Sequence, residues 1–397
     1  MLSGSQETGD PAASGPPASG AAPATGAVPE AVAAGSAALG RTLSGPVKLA
    51  GSDRSVVLRC RDSGGGTVVV KRYPGDEDGP ASFAAEAAGL AVTGGGLAPE
   101  LLAADPASLT VVMSDLGSGP SVADVLLGDS APDASRALLD WAGACGRLSA
   151  GAAGRLADFD TVKSRYLAGR PDEAYGAWLR ERVLTAGEQA ARLAARPDSG
   201  LACLRVPDGL TAELRTVAGT VDAARFPIFS PGDICPDNNL ITSRGIRFLD
   251  FESAAVYSAF LDAAYIRMPF ATCWCVYRLP PALAAAVESA YREQVAGVHP
   301  ELADDGIWAA GLTCAVAAWT LSSMYWLLPR ALAGDGEMHP ERKSPRFRQL
   351  IRYRWQVLAA ELDRAGGLPA LAQLADSLLA ATGAWAADEL PLYPAFR

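Results

Sequence analysis

The spacing of apolar residues changes character once along this chain, and that change constrains the fold more than any other feature. Up to about residue 114 the apolar residues come in short β-prone runs at 46–50, 55–60, 67–73, 100–104 and 109–114. Turn-forming sequence such as Asp62-Ser63-Gly64-Gly65-Gly66 separates two of them. A single Ala/Glu/Leu-rich run at 80–92 reads as a helix between the third and fourth strands. Beyond Pro120 the runs lengthen and become helical, at 131–150, 171–195, 281–295, 307–332 and 344–365. Three short apolar runs, 227–230, 239–242 and 245–250, interrupt the helices and read as small strands. The expected fold class is α+β: a small β-rich lobe over residues 41–118 and a larger helical lobe over 119–397. Residues 1–40 are dominated by Ala, Gly, Pro, Ser and Thr. They carry too little apolar area to offset their ordering entropy, so they are expected to be disordered.

Charge excludes some function classes. The 397 residues carry a net charge of −10, which argues against nucleic acid or an anionic membrane as the partner. The first basic residue is Arg41, so no secretory signal is expected, and a cytoplasmic location follows as an expectation. One uncharged stretch, residues 307–329, has the length of a membrane span. The central helix of a large helical lobe has the same signature, and a membrane role is not expected. Seven cysteines, at 60, 145, 203, 235, 273, 275 and 314, include no Cys-x-x-Cys pair. Their number and spacing argue against a disulfide framework and against a zinc site, and they read as buried thiols.

The chemistry-bearing segment is Phe229-Ser230-Pro231-Gly232-Asp233-Ile234-Cys235-Pro236-Asp237-Asn238-Asn239-Leu240, followed by Ile246-Arg247-Phe248-Leu249-Asp250-Phe251-Glu252. A carboxylate and a carboxamide share a Pro/Gly-containing loop, and a second carboxylate ends the next apolar strand. Phosphoryl transfer asks for such a set: one acid to orient an acceptor hydroxyl and take its proton, and oxygen ligands to hold Mg²⁺ against the phosphates. Upstream, Thr67-Val68-Val69-Val70-Lys71 is a strand ending in a cation, and Glu86 lies in the helical run after it.

The Asp-x-x-x-x-Asn step, with Pro236 before the Asn and Asp-Phe-Glu after a short strand, resembles the aminoglycoside/choline phosphotransferase family of small-molecule kinases, which have a two-lobed protein-kinase-like fold. The resemblance implies ATP or GTP and Mg²⁺ as cofactors. It implies transfer of the γ-phosphoryl group to a small-molecule hydroxyl, such as that of an aminoglycoside-like or amino-alcohol compound. On this resemblance Asp233 is the catalytic base, and Asn238 and Asp250 are the Mg²⁺ ligands; Asn239 is the competing neighbour, and the five-residue step from Asp233 favours Asn238. Lys71 and Glu86 anchor the nucleotide phosphates. Gly51 and Ser52 lie in the phosphate-covering turn, and Met113 and Asp115 in the hinge. Asp262 resembles the acid that buttresses the catalytic loop, although a helix-capping role reads equally well from the residues. The segment 267–277, with aromatic and cationic residues, is the expected neighbourhood of the acceptor.

The chain departs from the family at Pro231, where the family has His before Gly-Asp. That histidine braces the loop, so its loss removes neither base nor metal ligand, but it leaves open a catalytically degenerate kinase fold that binds nucleotide or acts as a scaffold. His299 and His339 each precede a proline in loop-like sequence and read as solvated or locally bonded. No Gly-x-Ser-x-Gly, Walker or His-Glu-x-x-His motif is present, which leaves hydrolase and metalloprotease readings without support.

Overall fold

Strand alternation decides how the first lobe is assembled. The computed structural model describes residues 26–49, 55–170, 175–197, 199–268, 270, 272–339, 341–386 and 389–397. In it, α1 (Ala27–Leu39) precedes β1 (Leu43–Lys48), β2 (Val56–Asp62), β3 (Thr67–Arg72), α2 (Gly79–Thr93), β4 (Leu101–Asp105) and β5 (Thr110–Ser114). The five strands form one antiparallel sheet in the order β1-β2-β3-β5-β4. Because successive side chains point to opposite faces, Val68, Val70 and Val112 pack in the small cluster with Ala31 of α1. Val69, Lys71, Val111 and Met113 alternate with them and so take the other face, toward α2 and the second lobe.

The expected disorder up to residue 40 does not hold for Ala27–Leu39, which is a regular helix ending in a left-handed Gly40 at φ 68°. Composition misleads here because the few larger apolar residues of the helix, Val28, Val32 and Leu39, all pack onto one cluster with Leu43, Leu58, Val70 and Val112 of the sheet. Its small residues let it lie close to the sheet: Ala31 is fully buried, and a Cβ on Gly35 would stand 2.8 Å from Val70 Cγ2.

The second lobe begins with α3 (Val122–Leu126), α4 (Ala131–Ala152), α5 (Leu156–Leu167), α6 (Tyr175–Leu184), α7 (Ala186–Ala194) and α8 (Leu210–Thr220). Two hairpin-like pairs follow, built from β6 (Pro227–Ser230), β7 (Asn239–Thr242), β8 (Gly245–Phe248) and β9 (Ala255–Ser258). β6 pairs with β9 and β7 with β8, all antiparallel. The chain ends with α9 (Ala259–Arg267), α10 (Pro281–Ala296), α11 (Asp305–Ala333), α12 (Phe347–Ala365) and α13 (Pro369–Ala381). The two-lobed α+β architecture read from the sequence is the one observed. The expected single helix at 171–195 is two helices within the described residues, broken at Thr185.

Helix α11 is the uncharged stretch, and it is long and apolar enough to cross a membrane. In the fold, 83% of its most apolar window is buried, so packing inside the lobe accounts for its composition. It crosses α9 so closely that a Cβ on Gly311 would lie 2.1 Å from the Phe260 ring.

Candidate active site

Lys71 stands where the two lobes meet. The strand period directs it away from α1, and its ammonium lies 2.9 Å from Glu86 Oε2 on α2, 2.8 Å from Asp250 Oδ1 and 3.1 Å from Glu252 Oε2. Glu86 is fully buried, and its Oε2 also accepts from the Tyr73 hydroxyl at 2.9 Å and the Phe251 amide at 3.1 Å. One side chain of α2 therefore fixes both the end of β3 and the start of the Asp-Phe-Glu segment. Burial opposes the charge on Lys71, but Asp250, Glu86 and Glu252 outweigh it and hold the ammonium well above the usual lysine range. Burial pushes the Glu86 carboxyl up to about 7 against the pull of Lys71, so three carboxylates around one ammonium leave an excess charge of about −1 to −2, which is an environment for a cation.

The loop of residues 231–238 is shaped by a buried polar relay beneath it. Gly232 takes φ 85°, and a Cβ there would sit 2.0 Å from the Ser253 carbonyl oxygen. Its amide donates to Ser230 Oγ at 3.1 Å, Ser230 donates to Asp262 Oδ1 at 3.2 Å, and the Tyr257 hydroxyl donates to Asp262 at 2.5 Å. Asp262 lies in the first turn of α9 yet accepts from Ser230 and Tyr257 on the strands below the loop, with no cap bond to the helix, and burial pushes its carboxyl up to about 7. From the other side, Ser149 of α4 donates to the Phe229 carbonyl at 2.9 Å. Gly232→Ala is expected to lower Tm, since the positive φ costs about 1–2 kcal/mol and the Ser253 backbone must also move. A thermal melt indistinguishable from that of the unaltered chain would contradict this.

Asp233 follows directly, with Oδ1 accepting from the Cys235 amide at 3.4 Å and the Tyr265 hydroxyl at 3.3 Å. Asn238 donates its carboxamide N–H to the Asp233 carbonyl at 3.1 Å, which turns its side-chain oxygen the opposite way. The Leu249 amide donates to the Asn238 carbonyl at 3.0 Å, and the β7/β8 register pairs Asn239 with Phe248. Together these bring Asn238 beside the start of the Asp250 segment. Asn239 is fully buried. Its carboxamide donates to the carbonyls of Cys235 and Pro236 and accepts from the Val122 amide at 3.0 Å. Its donors and acceptor are spent on holding the loop to α3, which removes it from competition with Asn238.

Of the other residues singled out by sequence, Met113 is buried in β5 between β3 and β4. Asp115 is held by Arg59 at 2.8–2.9 Å, by Thr67 Oγ1 at 2.7 Å and by the Gly117 amide at 2.9 Å. Burial opposes its charge, but the Thr67 and Arg59 bonds outweigh it and keep the carboxyl below its usual range. Asp115 thus braces the connection between lobes. Gly51 and Ser52 lie outside the described residues. Arg267, expected near the acceptor, is engaged by Glu288 and Glu361 across α9, α10 and α12. In that segment Trp274 and Cys273 reach the loop, Trp274 donating Nε1–H to Asp237 Oδ2 at 2.6 Å and the Cys273 sulfur lying 3.6 Å from Asp237 Oδ1.

Sequence reasoning gave no role to Tyr73, Glu252, Tyr257 or Tyr265. Tyr73 had a usable signal, since it lies two residues after Lys71 and so on the same face of the strand. The other tyrosines are placed by packing between distant segments, which no local pattern reveals.

No protein-family model and no curated protein sequence matches the chain. Among solved structures it is similar to a choline/ethanolamine kinase family protein from Mesorhizobium loti, with 15% identity over 84% of this chain and 93% of that one and a TM-score of 0.45. It is also similar to a choline kinase from Cryptosporidium parvum, with 12% identity, 85% and 90% coverage and a TM-score of 0.44. A third is an ADP-bound aminoglycoside phosphotransferase, with 13% identity, 80% and 92% coverage and a TM-score of 0.43.

Proposed function

We propose that the chain is a phosphotransferase that moves the γ-phosphoryl group of ATP or GTP to a hydroxyl of a small molecule, of the aminoglycoside-like or amino-alcohol kind. The observation that carries the reading is the meeting of Lys71, Glu86, Asp250 and Glu252 at the lobe junction, next to the loop bearing Asp233 and Asn238. Lys71, steadied by Glu86, would offer its ammonium to the nucleotide phosphates. Asp233 would orient the acceptor hydroxyl and take its proton as the phosphoryl group moves. Asp250 and the side-chain oxygen of Asn238 would hold Mg²⁺, and the excess negative charge around Lys71 fits a divalent ion there. When bound, Mg²⁺ supplies charge neutralisation across the phosphate oxygens. The bracing that a histidine before Gly232 would give is supplied here by Ser230, Tyr257 and Asp262, which supports an ordered loop despite Pro231.

A thermal-shift titration with ATP, GTP and their Mg²⁺ complexes tests the first half of this reading. A nucleotide at a hundredfold excess over its Kd is expected to stabilise the chain by about 2.7 kcal/mol, and more with Mg²⁺ than without. Amino sugars and amino alcohols would then be screened for Mg²⁺-dependent release of ADP or GDP. No stabilisation by any nucleotide would refute the proposal, and stabilisation without turnover on a broad hydroxyl panel would favour the degenerate, scaffold-like kinase fold.

A further inference from the structure

Sequence spacing gave no reason to expect a metal site among the cysteines, because Cys235 is far along the chain from Cys273 and Cys275. The fold removes that separation. Cys235 Sγ, a carboxylate oxygen of Asp237 and Cys273 Sγ all lie within 4.8 Å of one another. The Cys273 sulfur is 3.6 Å from Asp237 Oδ1 and 3.1 Å from the Cys275 sulfur. We propose that Cys235, Asp237 and Cys273 form a site for one thiophilic divalent cation of the zinc type, separate from the Mg²⁺ ligands and tying the 231–238 loop to the segment around Trp274.

Geometry, orientation and charge each support this. Tetrahedral zinc with Zn–S near 2.3 Å and Zn–O near 2.0–2.2 Å spaces its ligand atoms roughly 3.3–3.8 Å apart. Cys273 and Asp237, at 3.6 Å, already stand in that range, and the remaining separations, within 4.8 Å, exceed it by about 1 Å at most. Asp237 is already oriented: Trp274 Nε1 donates to its Oδ2 at 2.6 Å, which leaves Oδ1 toward Cys273. Such outer hydrogen bonds fix the aim of metal-binding carboxylates. The two sulfurs have donors at hand as well, with Cys275 Sγ next to Cys273 and the Tyr265 hydroxyl 3.1 Å from Cys235 Sγ.

The independent observation is Arg354. Its side chain is fully buried, and none of its three guanidinium nitrogens has a hydrogen-bond partner among the described residues. The Trp326 ring lies 5.1 Å from it, and the ionisable groups that act on it are Tyr265, Cys273 and Cys235. A buried guanidinium without an anion is costly. Two thiolates and one carboxylate on a divalent ion carry a net charge of −1, which is the counter-charge Arg354 lacks. As each sulfur–metal bond forms, its thiol proton leaves to solvent; nothing is oxidised or reduced.

The test uses untagged full-length protein, stripped of metal and kept reduced, with thiols counted under denaturing conditions to confirm reduction. Titration with Co²⁺ is expected to produce a sulfur-to-cobalt charge-transfer band and the visible bands of a tetrahedral ion, saturating at one equivalent and bleached by Zn²⁺. Cys235→Ser and Cys273→Ser should each remove most of the charge-transfer intensity and weaken binding by roughly tenfold or more. Asp237→Asn, which keeps both thiols, should alter the visible bands and weaken binding. Cys314→Ser, a buried thiol elsewhere, should titrate like the unaltered chain, and circular dichroism checks that each variant is folded. No band in fully reduced protein would overturn the proposal, as would a band that survives Cys235→Ser or is indifferent to Asp237→Asn. The readout requires no phosphoryl transfer, so this inference and the proposed function fail separately.

Discussion

Asp233→Asn is expected to lower phosphoryl transfer by about 10²–10⁴-fold, the range that a positioned general base contributes, while nucleotide affinity with Mg²⁺ stays close to that of the unaltered chain. The substitution isolates chemistry from structure. The bonds that fix Asp233 Oδ1 come from donors, the Cys235 amide and the Tyr265 hydroxyl, and an asparagine oxygen accepts from both. The loop is further held by Asn238 through the Asp233 backbone carbonyl, which the change leaves alone. What is lost is the capacity to take a proton. Steady-state turnover with an accepted hydroxyl, run beside a nucleotide thermal shift, measures the two effects separately. Turnover within a factor of about ten of the unaltered rate would remove Asp233 from the role of base.

The largest effect on stability is expected from Lys71→Met. The ammonium is the shared partner of Glu86, Asp250 and Glu252, whose side chains are 0%, 28% and 7% exposed. Methionine preserves much of the stem's packing but leaves buried carboxylates without a counter-charge, and breaking a buried pair from one side costs about 3–5 kcal/mol. Denaturant unfolding of Lys71→Met, Glu86→Gln and the double variant measures this as a cycle. The double variant should be less destabilised than the sum of the single ones, because neutralising Glu86 removes part of the charge that Lys71 compensated. Strict additivity would mean that the two groups are not coupled in solution. Nucleotide stabilisation should also disappear in Lys71→Met, since the cation offered to the phosphates is gone.

The parts of the fold and of the candidate site that were legible in the sequence are those set by local order. Alternation along Thr67–Arg72 placed Lys71 on the face opposite Val68 and Val70, and the helical run after it carried Glu86 to the same place. The short strands at 227–230, 239–242 and 245–248 are short because Pro, Gly and Asp bound them, and those residues shape the loop between Ser230 and Asn239. The five-residue step from Asp233 favoured Asn238 over Asn239. What occupies Asn239 instead, the Val122 amide, comes from a residue more than a hundred positions away and leaves no local signal. The surroundings of Arg354 and the approach of Cys235 to Asp237 and Cys273 were invisible for the same reason: both are wholly tertiary. The engagement of Asp115 by Arg59 and Thr67 depends on side chains from β2 and β3, which local sequence around Asp115 does not reveal.

Helix α1 carries a consequence for how the protein is handled. A domain boundary drawn at Arg41, where the alanine- and glycine-rich sequence gives way to the first strand, looks natural by composition. Trimming there would peel the cover from Leu43, Leu58, Val70 and Val112 and leave a bare hydrophobic sheet in water. Such surfaces recruit copies of themselves. Poor behaviour of a shortened chain would therefore report a missing lining, not an unstable fold.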